Sequence, residues 1–514
     1  MHVRAEETAA APSPMSVPKT ILPTELKSVL EKARIENGIQ GMSVAILYKG
    51  ELLFAEGLGK RNDKDPFTKD TLMPVGSLTK AFTATAIGEL VAEGKMDWDA
   101  TPVNTYLPEF ELKDPVLTSQ LTLVDVLSHR TNLSSVLLRW AKAKESRAEL
   151  IKYLKYADQP SKLTSKMNYS NTMYAVAGEA AARVAGVPYE EFVTTKVFEP
   201  LSLTNTGFSQ SELQQFSDYA LPYNANSFEN AKEGTFIRGE LIEDYLRDAP
   251  AGDIYSNVLD LVRWGRALLK GGEVDGKQTL NKESIAETWA GRTFAVATRR
   301  SPDFAPVQAY GLGWAIDAYK GHAKYTHGGL ITGYTSGLDI YPDLDLVVAV
   351  LANVNKTALT EHVSHYILDE LLDLPRTQDW LFGVSPQETK EKYTMAEMGF
   401  KGQLPKKIEN RPPVHALKEY AGVYNHLAHG DISIVYNKTE DALYFKHPAF
   451  ESKLEHYHFE LFKCVLNIFM NSFAIGVQFE TDANGMVGSL KYIGPGYGGT
   501  VFERKVIPTA AKEE

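Results

Sequence analysis

The chain has 514 residues, 44% of them hydrophobic and 23% charged, and a formal net charge of −11. That length holds roughly two to four domains with cores large enough to need no disulfide or metal, and the acidic balance argues against broad binding to nucleic acid or to anionic membranes. Cys464 is the only cysteine, which excludes an internal disulfide and any cysteine-based zinc site.

Glu6 and Glu7 fall where a secretory leader would carry its apolar stretch, and residues 8–19 are rich in Ala, Pro and Ser. Residues 1–22 therefore read as a disordered arm, and the chain as soluble and cytoplasmic. No run approaches the roughly 18 apolar residues that cross a bilayer. Residues 23–37 read as a helix that Gly38 stops, with Leu26, Val29, Leu30 and Ala33 at helical spacing. Two β-prone runs, 42–48 and 51–57, flank Lys49-Gly50 and read as a hairpin. Residues 77–93 form a long, mostly apolar helix, which points to burial.

From about 98 to 300 the pattern is helical and loop-rich, with candidate helices at 123–127, 172–185, 189–197 and 259–269. Strand character returns at 310–316. The runs 337–341 and 346–351 then form a hairpin around Pro342-Asp343-Leu344-Asp345. A helix is expected over 357–372.

Residues 375–413 are polar and carry five prolines, so they read as a linker with one short helix at most. Short strands follow at 432–436, 443–447, 456–461, 473–480, 488–493 and 500–504, the signature of a small antiparallel barrel or sandwich. Cys464 lies in the apolar run 461–470 and reads as a buried small hydrophobe.

Three motifs carry chemistry. In Ser77-Leu78-Thr79-Lys80, positions i and i+3 at a helix start share a face, so the Lys80 amine can meet the Ser77 hydroxyl. The free N–H groups and dipole of the helix end favour an oxyanion there. A lysine among residues that look buried needs a partner or a lowered pKa. Next, Tyr169-Ser170-Asn171 precedes the helix at 172. Beside the Lys80 ammonium a phenolate is favoured, which makes Tyr169 a candidate base for Ser77, while the Asn171 amide can hold both Lys80 and a substrate carbonyl.

The third motif, His327-Gly328-Gly329, supplies an imidazole that would face a cleft and two glycines that let a strand approach a ligand closely. Read one at a time, each has a plain structural alternative: a capping Ser77, a packing Tyr169, a histidine in a Gly-rich turn. His456 and His458, at spacing two on one expected strand face, and His426 with His429 have no carboxylates that would complete a metal site. There is no Gly-x-Ser-x-Gly elbow, phosphate loop or dinucleotide fingerprint.

Taken together, Ser77-x-x-Lys80, Tyr169-x-Asn171 and His327-x-Gly329 resemble the signature motifs of the serine β-lactamase and penicillin-binding protein superfamily. The resemblance is closest to the class C branch and its esterase, D-aminopeptidase and transacylase relatives, and runs from about 24 to 372. Residues 127–133 look like the family's Leu-Ser-His-Thr-Ser-Gly-Leu turn, and 250–256 like its Pro-Ala-Gly-Gly-Ile-Tyr-Ser segment, with Asp253 where a glycine is usual.

The resemblance implies an α+β β-lactamase/DD-peptidase-like domain over 23–374. It has an antiparallel sheet from about 40–58 and 310–352 and a helical subdomain over about 85–300. A linker over 375–413 and a lipocalin-like barrel over 414–508 would follow. It also implies an acyl-enzyme on Ser77, a base role shared by Lys80 and Tyr169, substrate orientation by Asn171, and His327 lining the cleft where the lactamases keep a lysine. The backbone N–H groups of Ser77 and Leu330 would form the oxyanion hole, with Gly328, Gly329 and Tyr334 along the substrate.

The missing third-motif lysine favours esters or neutral amides over carboxylate-bearing β-lactams. The substrate would be a small molecule or short peptide, with no metal or other cofactor, no nucleic acid and no membrane as partner. Hydrolysis, acyl transfer with the same residues, and a non-catalytic binding protein on the same fold are the readings this leaves. For the barrel they are a substrate gate, a homo-oligomer contact or a stabilising appendage.

Overall fold

Residues 41–48 are apolar at nearly every position, which suits a strand covered on both faces. The computed structural model describes residues 23–505 except 134–137, 141–143, 159–162, 165, 242–247, 296–301, 399–403, 469–470 and 495–498; the expected N-terminal arm lies outside the described residues. Eight strands form one antiparallel sheet: β1 (Gly41–Tyr48), β2 (Glu51–Gly59), β3 (Thr293–Ala295), β4 (Gln308–Tyr310), β5 (Ala315–Tyr319), β6 (His322–Ile331), β7 (Tyr334–Tyr341) and β8 (Leu346–Ala352). They lie in the order β3-β4-β5-β6-β7-β8-β1-β2.

Period-two alternation divides the buried side chains of the central strands between two cores. Ala45, Leu47, Val347, Ala349 and Leu351 face one core, and Met42, Val44, Ile46, Val348 and Val350 face the other. The second core is closed by α1 (Pro23–Glu36), through Leu26, Leu30 and Ala33, and by the helix Leu359–Leu371. The first is closed by the helical subdomain. Its central helix, α2 (Thr79–Ala92), is buried all round, as its lack of a polar face requires. The helices α3 (Asn171–Ala185) and α5 (Val258–Leu269) flank it, with the single turn α4 (Ala249–Gly252) between them in sequence. α5 lies so close on β8 that a Cβ at Gly265 would fall 2.6 Å from Val347 Cγ1.

The architecture is the expected one, with three local differences. His327-Gly328-Gly329 lies, as a close approach by a strand requires, within the ten-residue strand β6 and not in the Gly-rich turn of the plain alternative. The sheet extends to Thr293. The run 310–316 is split between β4 and β5 because Gly313 takes φ +81. The segment 375–413 holds a 14-residue helix, Ser385–Met398, preceded by a wide helical turn whose Trp380 and Leu381 are buried in the second core. Its prolines obscured those two apolar anchors.

Beyond it, eight strands from Gly422–His426 to Val501–Arg504 close an antiparallel barrel. Here the expected strand 456–461 is corrected. Phe450–His458 and Leu461–Ile468 are separate strands, joined by a tight turn in which Phe459 takes φ 47. No Gly, Pro or Asn marks that turn. A register shift between His456 and His458 also leaves the first exposed and the second buried, so they do not share a face. Among the described residues no helix is long and apolar enough to cross a membrane.

Candidate active site

Every residue from Thr71 to Gly88 is buried except Ser77, which is partly exposed. Ser77 sits in a one-turn 3-10 helix, Gly76–Leu78, that leads into α2. This turn is pressed against β6. Gly76 has φ +55, and a Cβ there would lie 3.0 Å from Leu330 N. A Cβ on Gly329 would lie 1.8 Å from Val75 O, so only glycine fits. Ser336 Oγ on β7 donates to Val75 O at 2.7 Å and pins the turn from the other side. The geometry thus brings the backbone of Leu330 beside the Ser77 turn. Gly328 and the Leu330 side chain are exposed on the opposite face of the strand from His327 and Gly329.

Lys80, one helical turn on, is fully buried, and its Nζ lies 3.1 Å from Ser77 Oγ and donates to Ala251 O at 2.7 Å. Burial penalises its ammonium and brings its pKa from 10.5 down to about 7, against the opposing pull of Asp248 and Asp253. Tyr169 is hydrogen-bonded to Ser77, and its ring centroid is 4.7 Å from Lys80 Nζ. Burial pushes the Tyr169 pKa up, with the bond to Ser77 as a smaller opposing effect. Burial thus works against the phenolate that the sequence leads one to expect. Asn171 opens α3 two residues later and is half-buried.

His327 is turned inward instead of facing an open cleft. Its Nδ1 donates to Gly328 O at 2.6 Å, which leaves Nε2 to accept from Tyr310 OH at 3.0 Å. Burial, and then Lys80, lower its pKa to about 3, so the ring is neutral. Tyr334 is also buried, with its hydroxyl donating to Ala220 O at 2.7 Å, so its polar atom is already engaged.

Sequence reasoning missed three groups at the site. His129, with φ 63, accepts a hydrogen bond from Ser170 N at 3.1 Å, and its ring centroid is 4.3 Å from that of Tyr169. Burial first, then Lys80, keep it neutral. The Leu-Ser-His turn was the available signal. The other two are Tyr174, whose ring centroid is 5.4 Å from Lys80 Nζ, and Tyr310. Neither carries a sequence signal beyond being aromatic.

The beta-lactamase family model matches residues 26–372, and a domain of unknown function (DUF3471) matches 406–499. Unguisins hydrolase ungD' of Aspergillus campestris is 27% identical over 427 residues, covering 79% of this chain and 76% of its own. The octameric penicillin-binding protein homologue from Pyrococcus abyssi superposes with a TM-score of 0.58 at 22% identity, over 93% of this chain and 99% of its own. A class C beta lactamase from Rhodobacter sphaeroides gives 0.53 at 21% identity, over 66% and 97%. The two structural likenesses are of fold.

Proposed function

The chain belongs to the beta-lactamase family, and from that premise we propose that it is a serine hydrolase that cleaves an ester or amide through an acyl-enzyme on Ser77. The observation that carries this reading is a partly exposed Ser77 hydroxyl 3.1 Å from a wholly buried amine whose pKa lies at about 7.

As a neutral amine, Lys80 keeps Ala251 O as acceptor for one N–H and turns its lone pair to the Ser77 proton. Ser77 Oγ attacks the carbonyl carbon and its proton passes to Lys80. The oxyanion is held by the N–H groups of Ser77 and Leu330. Tyr169, kept protonated, hands its proton to the departing alcohol or amine and regains one from Lys80. Water then repeats the sequence to release the acid. Asn171 orients the substrate carbonyl, and the open face at Gly328 leaves room for the chain of the substrate.

A neutral His327 offers no cation for a carboxylate, which favours neutral small molecules or short peptides. The name of the Aspergillus relative supports hydrolysis over acyl transfer. The catalytic domain is residues 23–374, and the segment 375–413 joins it to a separate lipocalin-like barrel, 414–508. The octameric Pyrococcus homologue supports assembly into a homo-oligomer.

The test is intact-protein mass after exposure to a small activated ester and to a serine-directed phosphonate, wild type beside Ser77→Ala. An adduct on the wild type alone is expected. An adduct of equal yield on a folded Ser77→Ala protein would overturn Ser77 as nucleophile. No adduct on either would favour a binding protein.

A further inference from the structure

Both neighbours of Tyr169 are fastened to the same residue. Asn168 N donates to His129 O at 2.9 Å, and Ser170 N donates to His129 Nδ1 at 3.1 Å. Between these two bonds the Tyr169 ring lies against the imidazole, with 4.3 Å between centroids at 37°. The rest of the turn 127–133 adds two ties to the same segment: Thr164 N donates to Arg130 O at 3.1 Å, and Asn168 Nδ2 to Asn132 Oδ1 at 2.9 Å. His129 thus fixes the backbone on either side of Tyr169 and one face of its ring.

His129 is itself held still. It is fully buried, and its ring is wedged against Tyr310 and Tyr174, at 4.9 and 5.3 Å between centroids. Thr293 Oγ1 on β3 donates to Ser128 O at 2.9 Å, and Tyr174 OH on α3 donates to Leu127 O at 2.6 Å, so the turn is anchored to both sheet and helix. Nε2 has no hydrogen-bond partner among the described residues, which leaves the Ser170 N–H to orient the ring. With Nδ1 accepting, the ring proton sits on Nε2. The backbone of His129 takes φ 63, a conformation unfavourable for a residue with a Cβ. Such residues persist where the surrounding structure enforces them, commonly at functional sites. What is held here is a short proton path. The Tyr169 ring centroid lies 4.7 Å from Lys80 Nζ, which lies 3.1 Å from Ser77 Oγ. A displacement of about 1 Å in such a path can cost about 10²-fold in rate.

We propose that His129 is a positioning residue for the reaction: through its bond to Ser170 N and its contact with the Tyr169 ring, it holds the Tyr169 hydroxyl at Ser77. This rests on the reading of Tyr169 as a proton carrier, so it is tested by structure as well as by rate. Asparagine and glycine both tolerate a positive φ. His129→Asn keeps an acceptor at the place of Nδ1, and His129→Gly removes it. In crystal structures of the two variants, the Tyr169 hydroxyl should leave Ser77 in His129→Gly and stay in His129→Asn. Phosphonate labelling of Ser77 should be about 10- to 10²-fold slower in His129→Gly, with His129→Asn faster than the glycine variant. In Tyr169→Phe there is no hydroxyl left to position. Adding His129→Gly there should cost nothing further, because residues acting as one unit are not additive.

A Tyr169 hydroxyl unmoved in His129→Gly would overturn the proposal, as would equal labelling of the two variants or losses that multiply in the double variant. If His129→Gly does not fold, His129→Ala takes its place in each comparison. If wild-type Ser77 takes no label, the hydrolase reading fails, and the two crystal structures alone decide whether His129 positions Tyr169.

Discussion

The two cores that meet in this chain are built on opposite terms. The barrel interior is filled by Tyr420, Tyr424, Phe445, Phe462, Phe479 and Phe502 with their aliphatic neighbours, and the Tyr424 hydroxyl is used up on Tyr420 O at 2.7 Å. The helical subdomain and the sheet together instead bury Lys80, His129, His327, Tyr174 and Tyr310, with Tyr169 half-buried, around one partly exposed serine. A packed apolar lumen leaves no room for chemistry, whereas buried ionisable groups are costly and are kept where their altered basicity is used. The contrast places the buried ionisable groups around Ser77 at the seam between β6 and α2. The barrel reaches the other unit through Ala428, which is fully buried in the first core.

The sharpest way to break that contrast is Lys80→Met. Acylation of Ser77 by an activated ester should fall by at least about 10³-fold, within the range for loss of a general base, as read by stopped-flow or mass spectrometry. The same variant should be more stable than the wild type at pH 6. Moving a buried amine from 10.5 to about 7 corresponds to roughly 5 kcal/mol against its ammonium form. Leaving Ala251 O without its donor returns roughly 1 to 3 kcal/mol of that, so a net gain of roughly 2 to 4 kcal/mol is expected by denaturant unfolding.

The sign follows from linkage. Between about pH 7 and 10.5 the unfolded chain holds the Lys80 proton that the folded chain lacks. Wild-type stability therefore rises with pH across that window, and the full burial penalty is felt below it. A Lys80→Met protein less stable than wild type at pH 6 would contradict this account.

Tyr169→Phe removes the relay but leaves the amine, and should lower acylation by about 10²-fold. Rates equal to wild type would take Tyr169 out of the proton path. In the unmodified protein, acylation should fall about tenfold for each pH unit below about 7, as Lys80 takes up its proton. A flat profile down to pH 5 would mean that another group is the base. The smallest effect on chemistry belongs to the other core. Phe479→Ala should destabilise the barrel by roughly 3 to 5 kcal/mol, seen in calorimetry as a lowered transition. Ser77 labelling below that transition should be unchanged.

By itself the sequence determined that the residues of the three motifs come together at the nucleophile, but not that His129, Tyr174 and Tyr310 join them. Ser77 and Lys80 are one helical turn apart, and a glycine at 329 is what a close approach of β6 to Val75 demands. Local patterns could not reveal the turn at Phe459, which has no residue suited to a positive φ, or the anchoring of 375–413 by Trp380 and Leu381.

Protonation was decided only by the tertiary structure. Tyr169 looks like a phenolate when set beside a cation, yet burial holds its proton. Burial brings the Lys80 pKa down to about 7 for the same reason, and His327 turns to Tyr310 and becomes a neutral acceptor. Desolvation depends on everything packed around a group, and in the linear chain those neighbours lie up to about two hundred and fifty residues away.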